Sequence, residues 1–561
     1  MSERRRLGDI LISAGRISIA QLNRALETQR KTKKRIGEVL VEEGLVSESE
    51  IADILAQQLS LERIDLDKIF VEQEIARKIP REVAKKHSAV PVFMRDDKLV
   101  VAMSDPLNMF AIDDISFITQ CKVQPAVATK AQIERAIELY YSQQATDMAI
   151  EELKREFTNV EPADEAKRDN VLAEDVQTAP AVRLTNSIIN QAVTMHASDI
   201  HIEPFEKYVA VRYRVDGVLF ESSRIPQNLY SAVSTRIKIM AGMNIAEKRV
   251  PQDGRIEMQV KGREYDFRVS SLPTVFGEKI VIRVLDRTTF NFTRENLGFT
   301  EHENKLMDKI IRMPYGIVLL TGPTGSGKTT TLYALLSEVN TPDKNIVTVE
   351  DPVEYMLEGI NQVQVNVKAG LTFAAGLRSI LRQDPDIIMI GEIRDEETAQ
   401  IAVRAAITGH LVLSTLHTND APGAITRLVD MGVEPYLVAD AVVGVIAQRL
   451  VRKLCPSCRV AYTSDSNEMM ILNTDKPVQL YRSTGCPSCQ NTGYRGRTAI
   501  HEVMLLDREH RHIIARGGSA EEIRDVAVKK GMVNLYESCR ELVLNGVTSI
   551  QEMMKTVYER D

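Results

Sequence analysis

The chain has 561 residues, of which 44% are hydrophobic and 27% charged, and its net charge is −7. Single cores stop growing near ~250–300 residues, so this length implies several domains of ordinary globular material. The acidic balance gives no global reason to expect nucleic-acid binding, and no run approaches the ~18–20 apolar residues of a membrane span, so a cytoplasmic or membrane-peripheral protein is expected.

The chain opens on a tandem repeat. RLGDILISAGRISIAQLNRALETQ, Arg6 to Gln29, returns at an offset of 29 as RIGEVLVEEGLVSESEIADILAQQ, Arg35 to Gln58. Arg6, Gly8, Leu11, Gly15, Leu26 and Gln29 reappear as Arg35, Gly37, Leu40, Gly44, Leu55 and Gln58, while Leu7 and Leu22 reappear as Ile36 and Ile51. Leucines at this spacing pack a small helical pair, and the glycines permit a sharp bend or a close approach. A purely structural repeat explains the leucines but not the Arg and Gln that bracket each copy. Next, AVPVFMRDDKLVVAMSDP reads as a hairpin, and FAIDDISFIT and AQIERAIELYY read as helices, which closes an N-terminal αβ domain over 1–140. Residues 141–180 hold ten Asp or Glu against four Lys or Arg and read as an acidic linker.

A second αβ domain is expected over 181–290. LTNSIINQAVTMHASDIHIEP pairs an amphipathic helix with a strand, YVAVRYRVDGVLF turns at Asp216-Gly217, and RIEMQVKGREYDFRVSSLP and KIVIRVLD alternate as strands do. A third domain, 300–561, begins the chemistry. YGIVLLTGPTGSGKTTTLYALL orders a buried strand, a glycine loop and a helix, and Gly322, Pro323, Thr324, Gly325, Ser326, Gly327, Lys328, Thr329 and Thr330 form a GxxxxGK[ST] phosphate loop. Its backbone N–H groups and the helix N-terminus face phosphates, Lys328 reaches the β and γ groups, and the Thr329 hydroxyl ligates Mg²⁺.

The acidic residue usual at the end of a neighbouring strand is replaced: after Ile387–Ile390 come Gly391 and Glu392, so Glu392 is the carboxylate placed to help hold Mg²⁺ or its waters. VTVEDPVEY ends another strand with Glu350, Asp351 and Glu354, a cluster able to orient and deprotonate the attacking water. GHLVLSTLHTNDA places Ser414, Thr415 and His417 after a further strand, where a histidine can sense a γ-phosphate.

In this order and spacing, GPTGSGKTT, VTVEDPVEY, IIMIGEIRD and STLHTNDA resemble the Walker A, Asp, atypical Walker B and His boxes of the type II secretion and type IV pilus motor ATPases. LTNSIINQAVTMHASDIHIEP and DFRVSSLPTVFGEKIVIRVLD resemble that family's second N-terminal domain. The resemblance implies an α/β fold: a RecA-like P-loop core preceded by a mixed αβ, PAS-like domain and an N-terminal αβ regulatory domain. It implies Glu354 as the catalytic carboxylate, Glu392 as the Walker B carboxylate, His417 as a γ-phosphate sensor, and Arg268 and Arg283 as arginine fingers. It also implies a homo-hexameric ring that hydrolyses ATP with Mg²⁺, reaches the membrane only through a polytopic inner-membrane platform protein, and assembles a pilus or a secretion pseudopilus. The N-terminal repeat resembles the tandem cyclic-di-GMP-binding motifs of some of these ATPases, which implies that each copy takes one half of that two-fold ligand through all sixteen repeat positions named above. A helical docking module remains the alternative.

Cys455-Pro-Ser-Cys458 and Cys486-Pro-Ser-Cys489 are two CxxC knuckles separated by 27 residues. Four sulfurs with no open position describe a structural Zn²⁺ site. Such an insertion, together with an N-terminal domain, resembles assembly-type rather than retraction-type motors. Pilus assembly is the leading expectation, a type II secretion pseudopilus motor the nearest alternative, and a RecA-like nucleic-acid translocase a remote one, since aromatic residues are only 5% and no basic tract exceeds KTKKR.

Overall fold

In a computed structural model the chain is described over residues 7–13, 15–32, 36–69, 71–158, 179–286 and 293–557. It divides into two compact units, residues 1–286 with 485–492, and residues 287–484 with 493–561.

In the first unit, each copy of the repeat folds as two helices around a glycine: α1 (Leu7–Ser13) and α2 (Ile19–Thr32), then α3 (Ile36–Glu42) and α4 (Glu48–Leu59). Gly15 and Gly44 take φ of +68° and +67°, a left-handed conformation that glycine adopts at no steric cost. Leu11, Ile17, Ala25, Val39, Leu40 and Val46 bury in one shared core. Gly8 is a site of close approach, since a Cβ there would stand 2.8 Å from the Leu22 methyls.

Strands β1 (Ala89–Arg95) and β2 (Lys98–Met103) pair antiparallel as a hairpin whose turn residues, Asp96 and Asp97, both have positive φ, and β3 (Lys122–Val127) adds parallel to β2. The segment read as a linker from 141 is different: one helix runs from Lys130 to Thr158, and another covers Ala179–Thr194. The first helix buries Ile133, Ala136, Ile137 and Tyr141 in the core of the β1–β3 sheet. It then buries Ala149, Ile150 and Leu153 with Ala181, Leu184 and Ile188 in the next core. Those three residues lie at helical spacing, so burial of one stripe offsets ordering entropy while the charged side stays in water. Residues 159–178 of the expected linker lie outside the described residues. A six-stranded antiparallel sheet follows, in the order β6-β5-β4-β9-β8-β7, built from β4 (Asp199–Pro204), β5 (Tyr208–Val215), β6 (Val218–Pro226), β7 (Gln252–Val260), β8 (Arg263–Thr274) and β9 (Gly277–Asp286).

The second unit is a seven-stranded sheet in the order β12-β11-β13-β14-β10-β15-β18. Its strands are β10 (Gly316–Thr321), β11 (Ile346–Glu350), β12 (Asn361–Gln364), β13 (Ile387–Ile390), β14 (Leu411–Leu416), β15 (Val442–Leu454) and β18 (Tyr494–Leu505). All neighbours are parallel except β15 and β18, and every residue of β10, β11, β13 and β14 is buried, as a sheet covered on both faces requires. The small hairpin of β16 (Arg459–Thr463) and β17 (Gln479–Ser483) lies between β15 and β18 in the chain.

Candidate nucleotide site

In a parallel sheet the residues after the carboxyl ends of the strands collect on one edge. Here β11, β13, β14 and β10 are consecutive neighbours, so Glu350, Glu392, His417 and the phosphate loop follow the ends of adjacent strands. The loop leaves β10 at Thr321 and enters the helix Lys328–Val339, with Gly322, Gly325 and Gly327 all at positive φ. A side chain on Gly322 would strike the Gln448 carbonyl at 2.3 Å, and one on Gly327 would meet Gln448 Nε2 at 2.9 Å. Lys328 Nζ donates to the carbonyls of Gly322 (2.7 Å) and Pro323 (3.1 Å), and its burial lowers its pKa while the charge of Glu392 opposes that shift. Thr329 is exposed, and the buried Ser326 hydroxyl has no hydrogen-bond partner among the described residues. Backbone cradle, ammonium group, open hydroxyl and spare hydroxyl fit a polyphosphate with its Mg²⁺, held by the 322–330 loop.

Glu392 is gathered with His417 and Arg394. Its side chain is only 15% exposed, with Oε1 2.5 Å from Arg394 Nη2 and Oε2 3.4 Å from His417 Nε2. Ser414 and Thr415 are occupied differently, their hydroxyls donating to the carbonyls of Ile390 (2.9 Å) and Gly391 (2.7 Å), which ties β14 to β13. Thr418 N–H donates to Thr321 Oγ1 at 2.8 Å and anchors the His417 turn to the end of β10. Glu350 faces inward: Tyr333 donates to Oε2, while Thr348 (2.6 Å) and Gln362 (3.1 Å) donate to Oε1. Glu354 lies in the turn that follows, half-buried, with its N–H donating to Tyr333 Oη at 3.2 Å.

Arg268 and Arg283 stand opposite each other on β8 and β9 in the first unit. Arg283 Nε is 3.2 Å from Asp199 Oδ1, and Arg214 lies 3.6 Å from the same carboxylate's other oxygen, so an acidic group offsets the adjacent cations. Within the repeat, Leu11 with Leu40 and Leu22 with Ile51 occupy equivalent places in one core, whereas Leu26 is exposed and Gln29 and Gln58 are half-buried. Arg6 and Arg35 lie outside the described residues.

Cys455, Cys458, Cys486 and Cys489 are all buried, with their sulfurs within 4.8 Å of one another. Cys486 and Cys489 have sulfurs 3.6 Å apart. Four thiolates at ~2.3 Å from one tetrahedral ion stand about 3.8 Å apart, so this donor set fits Zn²⁺.

Gln448 was not legible as part of the site. It is the one polar side chain among the buried residues 442–448 of β15, which is the signal that marks it. Its Nε2 donates to the Ser326 carbonyl (2.8 Å) and its Oε1 accepts from Thr331 Oγ1 (2.7 Å), clasping loop and helix.

Comparison with known proteins identifies the family. Residues 174–555 match the family model described as Type II/IV secretion system protein, and residues 59–147 match the MshEN domain. The chain is 45% identical to the type IV pilus assembly ATPase PilB of Myxococcus xanthus over 98% of both chains. It is 44% identical to the type II secretion system protein E of Xanthomonas campestris pv. campestris, over 99% of this chain and 98% of that one. The X-ray structure of the Legionella pneumophila ATPase DotB superposes with a TM-score of 0.51 over 67% of this chain and 95% of that one, at 23% identity, a likeness of fold.

Proposed function

Because the chain belongs to the type II/IV secretion system protein family and is a P-loop ATPase, we propose that it is the hexameric motor of type IV pilus assembly. The observation that carries the chemistry is the gathering of Glu392 and His417 beside Lys328 on the edge where the phosphate loop opens. In this reading Lys328 and the loop N–H groups hold the phosphates, Thr329 and Glu392 hold Mg²⁺ and its waters, Glu354 takes the proton of the attacking water, and His417 senses the γ-phosphate. Arg268 and Arg283 act as arginine fingers, fixed cationic forks for transition-state oxygens. The pilus is favoured by the Myxococcus xanthus relative at 45% identity, one point above the Xanthomonas campestris relative, which covers the chain as fully. The tetracysteine group is proposed as a structural zinc site, and a polytopic inner-membrane platform protein as the partner that receives the motion. Among the described residues no helix is long and apolar enough to cross a membrane.

Cyclic-di-GMP is proposed as the regulatory ligand of the repeat. Both copies adopt the same turn around Gly15 and Gly44, which supports two equivalent half-sites for a two-fold ligand. Arginine suits that ligand by stacking on guanine or pairing with phosphate.

Glu392→Gln and Lys328→Ala should each abolish ATP turnover while the protein stays folded. In the cell of origin, replacing the gene with either variant should remove surface pili and leave exoprotein secretion intact; the reverse pattern assigns the chain to a secretion pseudopilus. Isothermal titration of cyclic-di-GMP should give saturable binding that Arg6→Ala and Arg35→Ala both weaken, and absence of saturation makes the repeat a docking module.

A further inference from the structure

The turn that carries Glu354 has neither helix nor strand of its own, yet a water-activating carboxylate must be held within fractions of an ångström of its working position. Among the described residues, Tyr333 and Gln362 reach in from outside the turn and bond its residues 354–357. Tyr333, fully buried on the helix that begins with Lys328, donates its hydroxyl to Glu350 and accepts the Glu354 N–H at 3.2 Å. Its ring meets that of Tyr355 edge to face, with centroids 6.2 Å apart. Gln362 on β12 works from the other side: Nε2 donates to the Tyr355 carbonyl (3.0 Å) and to Glu350 Oε1, and Oε1 accepts the Leu357 N–H at 2.7 Å. Glu350 is the hub of this network, held by Thr348, Gln362 and Tyr333 at the end of β11.

We propose that Tyr333 is a positioning residue for hydrolysis: its phenol sets the Glu354 backbone at a fixed place relative to the helix that presents Lys328. One rigid helix then carries the phosphate-binding lysine at its first residue and the brace of the water-activating turn one and a half turns later. The inference rests on the reading of Glu354 as the hydrolytic carboxylate. A hydroxyl that only filled space would affect stability alone. One that positions Glu354 affects the chemical step and leaves nucleotide binding untouched, because Tyr333 stands five residues after Lys328, beyond the first turn that presents the phosphate-binding lysine.

The test is Tyr333→Phe in the full chain, which removes a single oxygen. Steady-state ATP hydrolysis, binding of a fluorescent ADP and thermal melting are measured beside Glu354→Gln and the double variant. Tyr333→Phe should lower kcat on the order of tenfold or more, as misplacement of a catalytic group does, with KM and the ADP Kd unchanged within about twofold. Added to Glu354→Gln, it should cost nothing further. If Glu354→Gln is inactive and Tyr333→Phe turns over normally, the role of Tyr333 is overturned while that of Glu354 stands. If Glu354→Gln keeps its turnover, the Glu354 reading fails and the positioning role falls with it. Should Tyr333→Phe melt below the assay temperature, Gln362→Leu loosens the same turn from β12: loss of kcat at constant KM supports the brace, and an unchanged kcat overturns it.

Discussion

Gln448 shows how a residue far from a motif sets its shape. Both amide atoms are spent on the phosphate loop and its helix, and its own carbonyl abuts Gly322, so the loop is moulded by β15 as much as by its glycines. Gln448→Met keeps the volume but leaves the Ser326 carbonyl and the Thr331 hydroxyl without this partner, a loss of about 1–3 kcal/mol for buried polar groups. The expected readout is a rise in KM for ATP of about tenfold, the equivalent of ~1.4 kcal/mol, with a smaller change in kcat. Thr331→Val should reproduce part of the effect, and Thr331→Ser, which retains the hydroxyl, should not. Cys539 makes the opposite point about a reactive group that is chemically silent. Burial, with Glu552 adding repulsion, pushes its thiol up to about 12, so at pH 8 the folded protein holds almost no thiolate there. Labelling with a disulfide reagent at pH 8 should leave Cys539 unmodified until denaturant is added. Neither Gln448 nor Tyr333 is legible in the sequence as a site residue, since their partners lie 17 to 122 positions away and only the folded sheet brings them together.

At the scale of elements, the repeat is the clearest case of one local solution used twice. Gly15 N–H donates to the Ile12 carbonyl and Gly44 N–H to Val41, both at 2.9 Å, and the next residue closes back to Leu11 or Leu40 at 3.0 Å. Both second helices begin with a reciprocal cap, Ser18 with Gln21 and Ser47 with Glu50. A side chain on Gly15 or Gly44 would touch nothing within 4 Å, so the cost of Gly→Ala there is the left-handed backbone alone, about 1–2 kcal/mol. Gly15→Ala and Gly44→Ala should therefore lower the denaturation midpoint of the N-terminal region by similar amounts, and a much larger loss at one of them would reveal a contact the geometry does not contain. The hairpins at Asp96-Asp97 and Asp216-Gly217 were legible because turn residues interrupt two apolar runs in the first and an alternating pattern in the second. The first half of the Lys130–Thr158 helix was legible in AQIERAIELYY, but its continuation past 141 was not, because that half carries one sparse apolar stripe, Ala149, Ile150 and Leu153, amid charge, and only the core it meets makes that stripe sufficient.

For the molecule as a whole, what the sequence made legible was the P-loop sheet. Continuous apolar strands that end at Thr321, Glu350, Ile390 and Leu416, the last two running straight into Gly391-Glu392 and His417, announce a parallel sheet with its chemistry on one edge. Such patterns do not reveal whether a ligand on the N-terminal repeat changes hydrolysis, since binding alone shifts nothing. A regulator shifts nucleotide affinity only through different affinities for the states of the ATPase, and the same coupling must appear in both directions. The prediction is a closed cycle. Cyclic-di-GMP should change the Kd of a non-hydrolysable ATP analogue by some factor, and the analogue should change the Kd of cyclic-di-GMP by that same factor, on the order of 5–150 for ordinary allosteric coupling. Both constants can be measured by titration on the Glu392→Gln variant, in which turnover does not interfere. Equal factors different from one make the repeat a regulator of this ATPase. Factors of one in both directions, with both ligands binding, leave the dinucleotide bound without control over nucleotide affinity.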